Sequence, residues 1–125
     1  MVKIVKNLSY NNNYYPETNQ RKYITIHETA NTGVGANADA HFINNGAQET
    51  WHYSVDDSKA VQHFLHKTSC WACGTYNGNT QSISIEMCVN SDGNYKKTLQ
   101  NTIELVQKLM KELNIPASNV VQHNY

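Results

Sequence analysis

From Ser82 to Val89 the residues alternate without a break, with Ile83, Ile85, Met87 and Val89 on one side and Ser84, Glu86 and Cys88 on the other. A period of two belongs to a β-strand whose two faces meet different surroundings. The chain must therefore build a sheet with one apolar side and one polar side. Tyr23 to His27 repeats the pattern, with Ile24 and Ile26 opposed to Tyr23, Thr25 and His27. The polar side of the first run carries Glu86 and that of the second carries His27. Further on, Leu99, Ile103, Val106, Met110 and Leu113 recur at steps of four and three, which predicts a helix of about four turns with one apolar stripe. That stripe is the natural cover for the apolar side of the sheet.

The remaining segments fit around this frame. Residues 50–55 and 60–64 flank Asp56-Asp57-Ser58-Lys59 and predict a hairpin. Asn119 to His123 reads as a final strand after Pro116, and Asp92-Gly93 as a turn. Asn37 to Gly46 is compatible with a short helix, with an Asn cap and a Gly stop. Lys6 to Gln20, rich in Asn and Tyr, reads as an irregular lead-in without a regular core element. Residues 66–80 read as a long loop bordering the site. Strands that alternate with helices, with at least one hairpin, predict an α/β fold: a single layered domain with a central mixed β-sheet flanked by helices. A length of 125 residues with 39% hydrophobic content suits one such domain.

Composition excludes several partners. Ten basic residues balance ten acidic ones and neither sign forms a run, so nucleic acid is not an expected partner. No apolar stretch approaches the roughly 20 residues that cross a bilayer, and Met1 to Val5 lacks the core of a secretory signal. Synthesis in the cytoplasm without a signal peptide is the expectation. Three cysteines cannot form a full disulfide framework. Cys70-Trp71-Ala72-Cys73 is half of a structural zinc site without its second pair, or a redox motif without the strand and helix that normally flank one. A local disulfide and two unrelated thiols are the plainer readings. Eight tyrosines and many asparagines suit sugar and peptide ligands and equally an ordinary solvated face.

His27 ends one strand, and His123 lies almost at the far end of the chain. Their pairing suggests a metal site closed by the two ends of the domain. Zinc on neutral imidazoles, with one position open, lowers the pKa of a bound water to about 7 and makes a nucleophile for hydrolysis. Taken singly, each of the six histidines has an ordinary reading as a surface or satisfied core group. Catalytic zinc normally takes three protein ligands, and the third is not evident. Cys88 and His52 are conceivable, and a segment beyond Tyr125 is the preferred expectation.

Five blocks in order carry a resemblance: Ile26-His27-Glu28-Thr29-Ala30-Asn31, Trp51-His52-Tyr53-Ser54-Val55-Asp56-Asp57, Gln62-His63, Ser82-Ile83-Ser84-Ile85-Glu86 and Asn119-Val120-Val121-Gln122-His123. From about Tyr23 to Tyr125 the chain resembles the zinc-dependent N-acetylmuramoyl-L-alanine amidases of the phage endolysin and peptidoglycan-recognition type. The resemblance implies hydrolysis of the amide between N-acetylmuramic acid and the L-alanine of the peptidoglycan stem. It implies Zn2+ on His27 and His123, and Glu86 as the group that moves the proton. Trp51, His52, Trp71 and Asn31 are the candidate substrate contacts. A monomer acting on the bacterial cell wall after release is implied too. Two features depart from the family pattern. The usual third ligand shortly after the second histidine is not in these residues, so the expectation is an amidase domain, residues 1–125, lacking its C-terminal end and any cell-wall-binding module. In addition, Trp71-Ala72-Cys73-Gly74 stands where relatives carry a Trp-His-Ala-Gly-like sequence. Two rival readings remain: a non-catalytic peptidoglycan-binding module with an incomplete metal site, and a redox protein using Cys70 and Cys73.

Overall fold

A computed structural model describes residues 1–11, 13–29, 35–36, 43–44, 48–89 and 93–122. In chain order the strands are β1 (Ile4–Lys6), β2 (Tyr14–Tyr15), β3 (Tyr23–Thr29), β4 (Tyr53–Val55), β5 (Ala60–Gln62) and β6 (Ser69–Cys70). The short helix α1 (Tyr76–Asn79) follows, then β7 (Ser82–Cys88), the long helix α2 (Tyr95–Leu113), a 3-10 turn at Ala117–Asn119 and β8 (Val120–Gln122). Six of the strands form one sheet in the order β1-β5-β4-β7-β3-β8. Only the hairpin pair β4–β5 is antiparallel in it; β1–β5, β4–β7, β7–β3 and β3–β8 are parallel. The sheet is mixed, as the hairpin around residues 56–59 requires.

The alternation of β7 and β3 divides the molecule. Ile24, Ile83, Ile85, Tyr53 and Val55 form a buried cluster with Leu105, Val106 and Leu109 of α2 and with Ile115. α2 starts at Asn94, whose side chain accepts from the Lys97 N–H at 3.2 Å. It stops at Asn114, which adopts the left-handed conformation at φ 54°, a common helix ending. The stripe that α2 buries is rotated from the expected one. Thr98, Thr102, Leu105 and Leu109 face the sheet, whereas Leu99 and Ile103 are 38% and 43% exposed. Two threonines are small enough to let the helix approach closely, and the Thr102 hydroxyl donates to the Thr98 carbonyl at 2.8 Å, so no polar group is stranded. Leu99 and Ile103 line an apolar groove with Tyr95, Ile26 and Val120.

The other face is covered by the segments expected to be irregular. β2 pairs antiparallel with β6, so the lead-in and the 66–80 stretch both contain regular structure that their composition does not announce. Asparagine side chains replace missing backbone partners there: the Asn11 amide donates to the Ile43 carbonyl at 2.6 Å, and that of Asn19 to the carbonyls of Thr68 and Ser82 at 3.0 and 2.7 Å. Beneath this cover lies a second apolar cluster, Ile43, Trp51, Phe64, Cys70 and Ala72, with Tyr14 packed against it. Of the helix expected at Asn37 to Gly46 only Ile43 and Asn44 are described, and both are helical. The rest of it, and Asp92 of the expected turn, lie outside the described residues. No described helix is long and apolar enough to cross a membrane.

Asp56 fastens the hairpin turn to its surroundings. Its carboxylate accepts from the N–H groups of Ala36, Ser58 and Lys59 at 3.0, 2.8 and 2.9 Å and from Lys59 Nζ at 3.1 Å. Burial alone would raise its pKa, but these donors outweigh burial and hold it down at about 2. Its own carbonyl accepts from the Asn101 amide of α2 at 3.0 Å. A Cβ at position 35 would stand 3.0 Å from Asp56 Oδ2, which suits Gly35.

Leu105, fully buried between α2 and the sheet, gives a direct test of this packing. Leu105→Ala is expected to lower unfolding free energy in urea by about 2–5 kcal/mol, and a loss below about 1 kcal/mol would contradict the packing.

Candidate functional site

In-register pairing builds the site. β3 and β7 run parallel with seven residue pairs, and His27 is opposite Glu86. On the other side of β7, Glu86 is opposite Ser54 of β4, so Ser54, Glu86 and His27 form one row across three strands. Register partners in a parallel pair point to the same face, with neighbouring strands about 4.8 Å apart. All three belong to the polar face, and all are buried, with Glu86 only 4% exposed and His27 only 2%. A carboxylate and an imidazole held out of bulk water on adjacent rigid strands can pass a proton or share a cation. β8 joins from the edge, with Gln122 paired to Ile26. Gln122 immediately precedes His123, which lies outside the described residues, as does Asn31.

A set of bonds that keeps two further histidines neutral supports the row. The backbone N–H of Ser84 donates to His52 Nδ1 at 3.0 Å, so the proton of His52 is on Nε2, which donates to the Thr68 carbonyl at 2.7 Å. Burial is the main reason that its pKa falls to about 3; the Thr68 contact works in the opposite sense, and His66 and His63 add to the fall. Both ring nitrogens of His52 are thus engaged with the main chain, and the ring ties β7 to the 66–70 segment instead of offering an edge to a ligand. His63 is fully buried, with Nε2 at 2.7 Å from Ser54 Oγ, and burial lowers its pKa to about 4. Trp51 donates its indole N–H to the same Ser54 oxygen at 2.7 Å. It sits in the second apolar cluster, which makes it a core residue.

Trp71 differs from Trp51. It is half-buried, its backbone N–H is anchored on Thr50 Oγ1 at 2.9 Å, and its ring lies 5.6 Å from Tyr15, which in turn lies 5.2 Å from Tyr76. Of the two tryptophans, Trp71 is therefore the one placed at the surface. Cys70, Cys73 and Cys88 form no disulfide with one another. Cys73 Sγ lies 3.7 Å from Thr25 Oγ1, and burial raises the pKa of Cys70 well above the ordinary thiol range. Such a thiol is poorly nucleophilic. Among the described residues no group of three or more His, Cys, Asp or Glu side chains could hold a metal ion.

The sequence alone assigns no role to His63 or Ser54. A signal for Ser54 existed: a lone hydroxyl between Tyr53 and Val55 on an inner strand needs a polar partner, and His63 follows at the end of the next strand.

Residues 17–125 match the family model described as N-acetylmuramoyl-L-alanine amidase. The chain belongs to this amidase family. Curated relatives include the N-acetylmuramoyl-L-alanine amidases CwlH and XlyA of Bacillus subtilis, 46% and 45% identical over 81% and 82% of this chain. The chain spans 43% and 36% of their respective lengths, less than half in each case. Among solved structures, a mutant endolysin from Bacillus subtilis superimposes with a TM-score of 0.93 at 38% identity, covering 98% of this chain and 84% of that one. The catalytic domain of XlyA superimposes with a TM-score of 0.88 at 37% identity, with the same two coverages. The fold of the amidase family is thus the mixed sheet described above.

The neutral state of the buried histidines has a measurable consequence. An imidazole whose pKa is lowered by folding takes up a proton in the unfolded chain first, so stability falls as the pH drops below about 6.5 and continues to fall until the folded pKa is reached. For His52 and His63 that window runs from the ordinary value of 6.5 down to about 3 and about 4. The urea midpoint is expected to fall steadily between pH 7 and pH 4, and less steeply in His63→Gln. A flat profile over that range would show these rings to be protonated in the folded protein.

Proposed function

We propose that residues 1–125 form a single catalytic domain that hydrolyses the amide between the lactyl group of N-acetylmuramic acid and the L-alanine of the peptidoglycan stem. The observation that carries this reading is the in-register pairing of His27 with Glu86 on the polar face of the sheet. Family membership supplies the substrate class, and the relatives' greater length supports a catalytic unit working within a larger wall-lytic enzyme.

Zinc is the proposed metal. An imidazole nitrogen beside a carboxylate is a donor set that suits it. His27 would hold it together with His123, which follows the β8 residue paired to Ile26, and a further ligand would come from outside the described residues. When bound, the metal lowers the pKa of water to about 7 and polarises the scissile carbonyl. Glu86 takes the proton of the attacking water and returns it to the leaving nitrogen. The carbon–nitrogen bond breaks as that proton arrives, leaving a lactyl carboxylate and the free amine of L-alanine. Burial of Glu86 keeps bulk water from competing for the proton. His27 must be neutral to serve as a ligand, so metal affinity falls with acidification. Trp71 at the surface is the proposed contact for the glycan, and Asn31 remains a candidate beside His27 in sequence. The enzyme would work as a monomer on the bacterial wall after release from the cytoplasm, with neither nucleic acid nor membrane insertion involved.

A non-catalytic wall-binding module is the second reading, favoured by the lack of a three-ligand group among the described residues. The two readings separate on the appearance of free L-alanine amino groups from purified peptidoglycan. The amidase reading predicts release that a chelator abolishes and that Glu86→Gln lowers by a factor of about 10² or more, with wall binding retained. Equal release with and without chelator would reject metal catalysis, and the absence of any release would favour the binder.

A further inference from the structure

Three aromatic side chains, Tyr15, Trp71 and Tyr76, meet on the side of the sheet that carries His27 and Glu86. The Trp71 ring lies 5.6 Å from that of Tyr15, which lies 5.2 Å from that of Tyr76, and the ring planes are tilted by 48° and 68°. Tyr15 comes from β2, where it pairs with Ser69 of β6; Trp71 follows β6, and Tyr76 opens α1. Tilted packing leaves part of the rings uncovered, and Tyr15 and Tyr76 are 36% and 59% exposed. Cys73 fixes the cluster to the sheet. Its Sγ lies 3.7 Å from Thr25 Oγ1, and its N–H donates to Asn79 Oδ1 at 2.9 Å. A Cβ at position 78 would stand 2.7 Å from the Cys73 Cβ, so α1 is pressed directly against this residue. Thr25 belongs to the polar face of β3, two residues before His27, which is about 7 Å along the strand. Cys73 thus stands one row away from His27 and Glu86, with Trp71 and Tyr76 on either side of it in sequence.

The chemistry of the cluster suits a sugar. A pyranose carries hydroxyls around its rim and C–H bonds on its faces, so its faces are buried on aromatic rings while its rim meets polar groups, and tyrosine supplies both a ring and a hydroxyl. None of the three side chains is charged. The charges nearest to them in sequence and pairing, Glu17 and Lys67, neutralise each other at 3.0 Å, whereas a peptide carboxylate would call for a cation not already paired. Packing, not a polar bond, orders the Trp71 indole: its Nε1 has no hydrogen-bond partner, unlike that of Trp51, which donates to Ser54. A ring without a polar tether is able to settle against a ligand. We propose that Tyr15, Trp71 and Tyr76 form a subsite for the sugar backbone of the glycan strand, and that this subsite makes the enzyme prefer a stem carried on a glycan chain to one carried on a single sugar. The proposal rests on the amidase reading, and it extends the contact assigned to Trp71 to a surface of three rings.

Binding provides the first test and needs no turnover. The chain has two tryptophans, and Trp51 is buried in the second apolar cluster, so a ligand on the rings changes the emission of Trp71. Chitotetraose, a soluble chain of N-acetylglucosamine units that reproduces the glycan backbone without lactyl group or peptide, is expected to change the emission saturably at millimolar concentration. Trp71→Phe should abolish the change, and Tyr76→Ala should weaken the affinity about tenfold. No saturable change would overturn the proposal, as would an equal response to the free stem peptide. Selectivity provides the second test: kcat/KM for L-alanine amino groups released from glycan chains, divided by kcat/KM for a single N-acetylmuramoyl peptide. Losses of folded or metal-loaded protein cancel in this ratio. Tyr76→Ala is expected to lower it about tenfold, and Tyr76→Phe, which keeps the ring, to retain most of it. An unchanged ratio in Tyr76→Ala would overturn the proposal. If the unmodified chain releases no L-alanine from either substrate, the amidase reading fails, and the emission titration still decides whether the rings hold sugar.

Discussion

The in-register parallel pairing of β3 with β7 is the constraint on which everything else in the molecule depends. Because side chains alternate along a strand, a slip of one residue would turn Glu86 toward the apolar core and bring Met87 or Ile85 beside His27. The pairing is protected on both sides. On the apolar side, Ile24, Ile83 and Ile85 are locked against Leu105 and Leu109 of α2. On the polar side, the Ser84 N–H is tied to His52 Nδ1 and the Ser82 carbonyl to the Asn19 amide. The placement of the two chemically active groups thus follows from packing that involves neither of them.

Buried polar groups on one face of a sheet are costly unless each finds a partner, and histidine meets that need here more than once. His52 bonds main chain at both ends of its ring, and His63 meets Ser54. On the opposite side of the sheet, the Tyr53 hydroxyl, its pKa raised by burial, is hydrogen-bonded to His66 Nε2 at 2.6 Å, and burial also lowers the pKa of His66. These rings are structural because they are neutral and already engaged. His27 is set apart by its place in the row with Glu86 rather than by burial alone.

Much of this was legible in the residues because alternation reports on faces. Ile83-Ser84-Ile85-Glu86 and Ile24-Thr25-Ile26-His27 disclosed both strands and the side on which each active group lies. The Asp56–Lys59 turn disclosed the hairpin and hence the mixed sheet. Three features were hidden, each for a physical reason. The buried stripe of α2 runs through Thr98 and Thr102 because close approach matters more there than apolar area, so the spacing of large apolar residues points to the neighbouring stripe. β2 and β6 are two residues each, too short for a period to show, and long-range asparagine bonds hold the surrounding segments. His52 reads as a candidate ligand because nothing local reveals that Ser84 and Thr68, 32 and 16 residues away, take up its ring. His123 and Asn31 lie outside the described residues, and their roles rest on the family pattern.

Anomalous diffraction at the zinc absorption edge, from crystals of the protein purified with its metal, shows whether His27 is a metal ligand. A single strong peak is expected about 2.1 Å from a ring nitrogen of His27, with the Glu86 carboxylate facing the metal across the row. A bound zinc with no peak within coordination distance of His27 would contradict it.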